Sequence, residues 1–194
     1  MERLKTLKES YMPNNQTRTV YAEKIFQLAK DKTDEVFYNS SSEHAIIVHQ
    51  ALVQNAESYV YIFSSSMCSE VSNNTEYVEI VKNFLSNNQN HNIKIILTDY
   101  SEDFPKSPIA EVLAKHSKQV EIKKYDGKVM YNGNPVHFTI SDDRAFRLET
   151  NIEKRMAFGN FNSPHQAKGL KEIFNTIFSS SDAEPIRLNN VCVC

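Results

Sequence analysis

The sequence predicts a single α/β domain with a mixed sheet flanked by helices, and three observations support this class. Helical and strand patterns alternate through the first part of the chain. Strand patterns then follow one another without an intervening helix. The strand over residues 93–98 is apolar throughout its centre, as in a strand covered on both faces. The alternation predicts parallel strands joined by helices, and the later succession predicts added antiparallel pairs.

Helices are predicted at five stretches whose apolar residues recur at helical spacing. They cover residues 20–31, 43–56, 77–85, 109–116 and 167–178. Ser41 or Ser42, followed by Glu43, is typical of an N-cap for the second helix. Pro108 falls in the first turn of the fourth helix, where proline is tolerated.

Strands are predicted at seven stretches rich in β-branched and aromatic residues. They cover residues 59–63, 93–98, 120–125, 128–131, 136–140, 145–149 and 155–159. Turns are expected at residues 126–127 and 132–135, and a tight turn at 141–144. We expect a helical extension over residues 1–38, the α/β domain over 39–180 and a tail over 181–194.

Composition and residue spacing argue against several classes of function. A formal net charge of −2 gives no global basic field that would advertise nucleic acid. Only 4 glycines and no tryptophan argue against a glycine-rich phosphate loop. The histidines and cysteines show no metal-ligand spacing, so no metal and no cofactor are expected. His44 and His49 are five residues apart on one predicted helix, and we expect them to be surface or cap residues.

The expected location is the cytoplasm. Three cysteines, Cys68, Cys192 and Cys194, do not form a disulfide framework, which favours a reducing compartment. The first ten residues lack the apolar segment of a signal peptide. No apolar run approaches the roughly 20 residues of a membrane span, so no membrane contact is expected.

The stretch Val136–Pro164 holds the residues that suggest chemistry. His137 lies between Val136 and Phe138 on a late strand, and Gly159-Asn160-Phe161-Asn162 follows a later one. This order of elements and these two partial motifs resemble the phospholipase D superfamily, over about residues 42–178. Members carry His-x-Lys, then an aspartate, then Gly-Ser-x-Asn, and work as one-motif dimers or two-motif single chains. The resemblance implies a phospholipase D-like fold, metal-independent phosphodiester chemistry and a homodimer.

The resemblance assigns roles residue by residue. His137 matches the histidine that attacks phosphorus, and Asn162 matches the asparagine of Gly-Ser-x-Asn, with Gly159 at its glycine. Asn160 stands in place of the serine. Thr139 stands in place of the lysine, two residues after the histidine and on the same strand face. A threonine hydroxyl carries no charge, whereas metal-free phosphoryl transfer needs cationic donors.

Another cation would have to replace the absent lysine. Arg147 is the best candidate, because an arginine within the apolar Ala-Phe-Arg-Leu-Glu strand needs a buried partner or a ligand. Its strand face relative to His137 is not settled by the sequence, and a structural ion pair with Glu149 is the competing interpretation. Lys154 and Arg155 follow shortly after. Arg144, at the tip of the turn, is expected to be solvated.

Hydroxyl groups follow the first buried strand at Ser64 and Ser65. A loop at the carboxyl end of a strand is where open α/β sheets bind ligands, so these serines are candidate ligand contacts. Lysines at residues 123, 124, 128, 168 and 171 offer a modest basic strip without interleaved aromatic residues, which favours a solvated surface.

The sequence thus predicts a phospholipase D-like domain with a degenerate His-x-Lys site, acting as a binding or regulatory module. Its partners would be a phosphate-bearing ligand, nucleic acid or a partner protein. The alternative is an active metal-independent nuclease or phosphodiesterase with His137 as nucleophile. A structural scaffold is a third possibility. The candidate catalytic residues are His137, Asn162, Thr139, Arg147 and Glu149, and the candidate ligand contacts are Ser64, Ser65, Lys154 and Asn160.

Overall fold

The computed structural model describes residues 14–67 and 69–188. Its helices are α1 (Asn14–Lys30), α2 (Ser42–Gln54), α3 (Thr75–Asn87), α4 (Pro108–Lys115) and α5 (Pro164–Phe178), with a short 3-10 helix at Phe104–Lys106. Its strands are β1 (Phe37–Asn39), β2 (Tyr59–Ser64), β3 (Asn92–Leu97), β4 (Val120–Tyr125), β5 (Met130–Tyr131), β6 (Asn134–Pro135), β7 (His137–Ser141), β8 (Ala145–Asn151), β9 (Met156–Asn160) and β10 (Ala183–Ile186).

Eight strands form one mixed sheet in the order β1-β9-β8-β7-β2-β3-β4-β10. β2, β3 and β4 are parallel, and β7 joins β2 antiparallel. β8, β9 and β1 continue the antiparallel half, and β10 adds antiparallel to β4 at the other edge. The predicted α/β class and mixed sheet in a single domain are confirmed. The parallel pairs β2–β3 and β3–β4 are joined by helical connections, and short turns join the antiparallel pairs β7–β8 and β8–β9.

The two faces of the antiparallel half bury different residues. Phe138, Phe146 and Leu148 pack with Phe174 of α5 on one face. Alternation along the strands sends His137, Thr139, Arg147 and Glu149 to the opposite face, the side on which α2 lies. α2 starts where the Ser41 hydroxyl accepts a hydrogen bond from the His44 amide at 3.2 Å, as the sequence predicts. The fold therefore puts a polar group beneath a helix.

The turn between β7 and β8 is fixed to the rest of the domain by two side chains. The Asp142 carboxylate accepts hydrogen bonds from the amides of Glu57, Ser58 and Tyr59 at the start of β2. Arg144 donates to the carbonyl oxygens of Asn55 at 2.7 Å and Phe161 at 3.0 Å. The prediction that Arg144 is solvated is wrong, because its guanidinium satisfies carbonyl groups that the fold buries. These contacts set the register of the β7–β8 pair.

The predicted strands and helices are all present, and three further strands were missed. β1, β6 and β10 are short, and β6 falls within the predicted turn at residues 132–135. The boundary predicted between residues 38 and 39 falls inside β1, which pairs with β9, and α1 packs on α2. β10 lies in the predicted tail. Cys68, Cys192, Cys194 and the first ten residues lie outside the described residues.

None of the helices in the described part of the chain has the length and apolar character needed to cross a membrane.

Candidate functional site

Four polar residues of two adjacent strands meet on one face of the sheet. His137 pairs with Glu149 and Thr139 pairs with Arg147 in the β7–β8 register. All four side chains therefore project from the same face. The relation of Arg147 to His137, which the sequence leaves open, is resolved: both lie on this face, and all four residues are buried.

Hydrogen bonds connect the side chains of His137 and Arg147 through Glu149. His137 Nδ1 lies 3.1 Å from Glu149 Oε2, and Arg147 Nη2 donates to Glu149 Oε1 at 3.0 Å. Arg147 Nε donates to Asn39 Oδ1 at 3.0 Å, which ties the group to β1. Arg155 stands farther off, with its Nη1 3.8 Å from Glu149 Oε1. Glu149 is thus the shared acceptor of the site.

Electrostatics keep Glu149 ionised. Burial by itself raises the pKa of this carboxyl, but the hydrogen bond from His137 and the charge and hydrogen bond of Arg147 outweigh burial. The resulting pKa is lowered to about 2. Burial lowers the pKa of Arg147, and the Glu149 carboxylate opposes that change. The pair is a buried ion pair whose charges compensate each other.

The ionised carboxylate fixes the tautomer of His137. A carboxylate only accepts hydrogen bonds, so the ring proton of a neutral His137 resides on Nδ1. The lone pair then lies on Nε2. This is the arrangement in which a carboxylate orients an imidazole for attack or for hydrogen bonding to a ligand.

A cavity of about 240 Å³ opens beside this group, at the carboxyl end of β2. Sheet residues on one side, α2 and α3 residues on another and the loop after β2 enclose it. Its polar lining consists of Ser64, Ser65, Ser66, Ser69, Ser72, Thr139, His49, Tyr77, His137, Arg147, Glu149 and Arg155. Both predicted serine contacts, Ser64 and Ser65, therefore line the same cavity as His137. This position matches the general rule for ligand sites at strand ends.

Two residues of the cavity wall have backbone conformations that side chains disfavour. Met67 and Arg155 each have a φ of 52°, in the left-handed region. A residue with a Cβ pays a steric cost there, and such residues cluster at functional sites. Both positions flank the cavity, one in the loop after β2 and one before β9.

Three predicted site residues lie away from the cavity. Asn160 donates to the Asp34 carbonyl oxygen at 2.5 Å and accepts from the Asn162 amide at 2.7 Å, so it stabilises the turn after β9. Asn162 is exposed in that turn, and Lys154 is exposed in the turn before β9. None of the three is among the residues that line the cavity.

Sequence reasoning did not assign four polar members of the cavity wall to a site, namely His49, Ser69, Ser72 and Tyr77. His49 was expected at the surface or in a cap, but it lines the cavity from α2, one helical turn after Ala45. Its position four residues after the apolar Ala45 was the available signal, because residues four apart lie on the same face of a helix. Arg155 was grouped with Lys154, whereas only Arg155 reaches the cavity. His44, by contrast, stacks on Tyr21 outside it.

The described residues contain no group of three or more histidine, cysteine, aspartate or glutamate side chains that could hold a metal ion.

Several solved structures share this architecture. TrmBL2, an archaeal chromatin protein with a novel mode of DNA binding, aligns with a TM-score of 0.57 and 14% sequence identity. The alignment covers 89% of this chain and 64% of the length of TrmBL2. Nuc, a phospholipase D family member from Salmonella typhimurium, aligns with a TM-score of 0.52 at 11% identity over 79% of this chain and 97% of Nuc. NucT from Helicobacter pylori aligns with a TM-score of 0.55 at 11% identity over 78% of this chain and 100% of NucT.

These structural matches show the fold, and the sequence shows the family. The curated proteins with which the sequence was compared include no match. A family described as "Domain of unknown function (DUF7931)" matches residues 41–187, which include the whole cavity wall. The chain belongs to this family, and it has the phospholipase D-like fold.

Proposed function

We propose that this chain is a phospholipase D-like domain whose cavity binds a phosphate-bearing ligand, with the family's His-x-Lys chemistry degenerate. The charge of the cavity wall carries the proposal. Two guanidinium groups, of Arg147 and Arg155, face one carboxylate, of Glu149. Among the described lining residues no other carboxylate or lysine is present. With neutral histidines the wall holds one net positive charge, surrounded by serine hydroxyl groups.

Arg155 is the cation that this proposal assigns to the ligand. Arg147 is buried, its charge is compensated by Glu149, and two of its N–H groups donate to Glu149 and Asn39. The Arg155 side chain is 32% exposed and only loosely placed against Glu149. Serine hydroxyls and the Thr139 hydroxyl supply neutral donors, as in many phosphate sites. Thr139 itself provides no charge in place of the family lysine.

Two sources can present such a phosphate. The likeness to TrmBL2, which binds DNA, leaves nucleic acid as one source. A small phosphate compound is the other source. The net charge of −2 favours it over nucleic acid, because nucleic-acid binding depends on many cationic side chains that neutralise phosphates. A regulatory role, a homodimer and a partner protein remain parts of the proposal that follow from the phospholipase D resemblance.

Phosphate is expected to stabilise the protein against heat. At about one hundred times its dissociation constant, inorganic phosphate should add about 2.7 kcal/mol, which raises the melting temperature by roughly 5–10 °C. Differential scanning fluorimetry at constant ionic strength measures this shift, and a single-stranded oligonucleotide is titrated in parallel. Arg155→Gln should remove the phosphate shift.

Lys154→Gln is the matched control, because it removes the neighbouring charge outside the cavity. It should retain the shift. A shift that survives in Arg155→Gln and is lost in Lys154→Gln would contradict the assigned site. Stabilisation by the oligonucleotide without stabilisation by phosphate would favour nucleic acid.

The hydrogen bond between His137 Nδ1 and Glu149 favours a second candidate function, metal-independent phosphodiester cleavage. In this reaction Nε2 forms a bond to phosphorus while the bond to the leaving oxygen breaks, and that oxygen takes up a proton. Water then hydrolyses the phosphohistidine.

Cleavage is tested with a bis-aryl phosphodiester in excess EDTA. If the site is catalytic, wild-type protein releases the aryl alcohol above background and His137→Ala abolishes release. His44→Ala, outside the cavity, is the control and should retain activity. Equal release by wild type and His137→Ala would eliminate this candidate.

A further inference from the structure

His49 lines the cavity, and one of its ring nitrogens has no hydrogen-bond partner among the described residues. Its Nδ1 is buried and makes no hydrogen bond to any described residue. The ring is held edge-on to Tyr77, with centroids 5.9 Å apart and an interplanar angle of 64°. A buried nitrogen atom without a partner is costly. The His49 side chain as a whole is only partly buried and lines the cavity, where a ligand group can contact the ring.

His49 is neutral under ordinary conditions. Burial, and next the nearby charge of Arg147, lower the pKa of His49 to about 3. A neutral imidazole is a weak partner for a phosphate dianion compared with Arg155. One of its nitrogens donates and the other accepts, and Nδ1 has no described hydrogen-bond partner that would fix which. A hydroxyl group both donates and accepts, so it satisfies either tautomer.

The cavity holds both charged groups and a neutral imidazole within a small volume. The guanidinium groups and the Glu149 carboxylate come from the sheet and the turn before β9, whereas His49 comes from α2. The volume of about 240 Å³ is enough for several water molecules. A phosphate with a short substituent fits these dimensions, and a polymer can place only one segment inside.

We infer that the ligand is a small phosphate ester that carries a hydroxyl group, with the phosphate at Arg155 and the hydroxyl at His49. This inference rests on the proposed phosphate-binding function. It adds a determinant of specificity, because a site with an unsatisfied buried nitrogen rejects an analogue that lacks the matching group. Ser69 and Ser72, on the same wall, surround the ester substituent with further polar groups.

Isothermal titration with three probes tests the inference. Glycerol 1-phosphate has hydroxyl groups, propyl phosphate has the same carbon chain without them, and inorganic phosphate has no substituent. Wild-type protein is expected to bind glycerol 1-phosphate about tenfold more tightly than propyl phosphate. His49→Phe should erase this preference while binding of inorganic phosphate stays within about twofold.

Two further variants keep the test decisive. His49→Asn retains a neutral donor and acceptor and should restore part of the preference, even if His49→Phe folds poorly. His44→Phe changes a histidine on the same helix that lies outside the cavity, and it should leave the preference intact.

The outcomes separate this inference from the proposed function. If wild-type protein binds no phosphate probe, the phosphate-binding function itself fails. If it binds inorganic phosphate but does not distinguish the two esters, or if His49→Phe keeps the full preference, only the role of His49 is overturned. A preference lost in His49→Phe and kept in His44→Phe supports it.

Discussion

Glu149→Gln is expected to lower the free energy of unfolding by about 3–5 kcal/mol. The substitution removes the negative charge that compensates Arg147, whose guanidinium is only 3% exposed. It also replaces an oxygen that accepts from His137 or Arg147 by a donor amide. Urea denaturation followed by circular dichroism measures the loss.

The control is Glu153→Gln, in the exposed turn before β9, which should change stability by less than about 0.5 kcal/mol. Arg147→Met combined with Glu149→Gln should recover most of the loss, because no buried charge is then left without a partner. A loss below about 1 kcal/mol in Glu149→Gln would show that Arg147 does not depend on Glu149.

The same pair predicts how stability depends on pH. The folded-state pKa of Glu149, about 2, lies below its ordinary value of 4.5. A group with a lowered folded-state pKa stabilises the fold fully above the unfolded value and loses that contribution as the pH falls through the folded value. The difference in stability between wild type and Glu149→Gln should therefore be largest above about pH 5 and shrink toward pH 2. A difference that is constant over this range would contradict the assignment.

Gly159→Ala is expected to destabilise the fold by about 3 kcal/mol. A Cβ at this position would overlap the Phe146 carbonyl oxygen and lie 2.5 Å from the Phe37 Cζ. The carbonyl belongs to the neighbouring strand and cannot move without disturbing the β8–β9 pairing. Thermal and urea denaturation both measure the effect.

Gly169→Ala provides the opposite expectation in the same chain. Gly169 lies within α5, and a Cβ there meets nothing within 4 Å. Alanine should stabilise this helix by about 0.5–1 kcal/mol. If Gly159→Ala were as harmless as Gly169→Ala, Phe37 and β1 would not be packed as described. Gly159, the first residue of the Gly-x-x-Asn motif, thus has a packing role.

Sequence patterns predicted the central fold because apolar runs and helical spacing report burial directly. Tyr59–Ser64 and Asn92–Leu97 are buried strands whatever their neighbours, so their composition is sufficient. Ala183–Ile186 is short and contains proline, which is tolerated because an edge strand pairs with one neighbour only. Such a strand forms because a neighbouring strand is available for pairing, and local composition does not reveal that neighbour.

The site was predictable only in part, because it depends on register. His137, Thr139 and Ser64 were identified from their strands, but whether Arg147 shares their face depends on how many residues the β7–β8 turn uses. Asp142 determines that turn through contacts with β2, far away in sequence. His49 reaches the cavity from a helix, so its role required the packing of α2 on the sheet.

Direct localisation of a bound oxyanion tests the central claim most directly. Crystals soaked in tungstate, a heavy analogue of phosphate, reveal the anion by anomalous scattering. The account predicts one strong peak inside the cavity, within hydrogen-bond distance of the Arg155 guanidinium, and loss of that peak in Arg155→Gln. A peak only elsewhere on the protein, or an unchanged peak in Arg155→Gln, would contradict it.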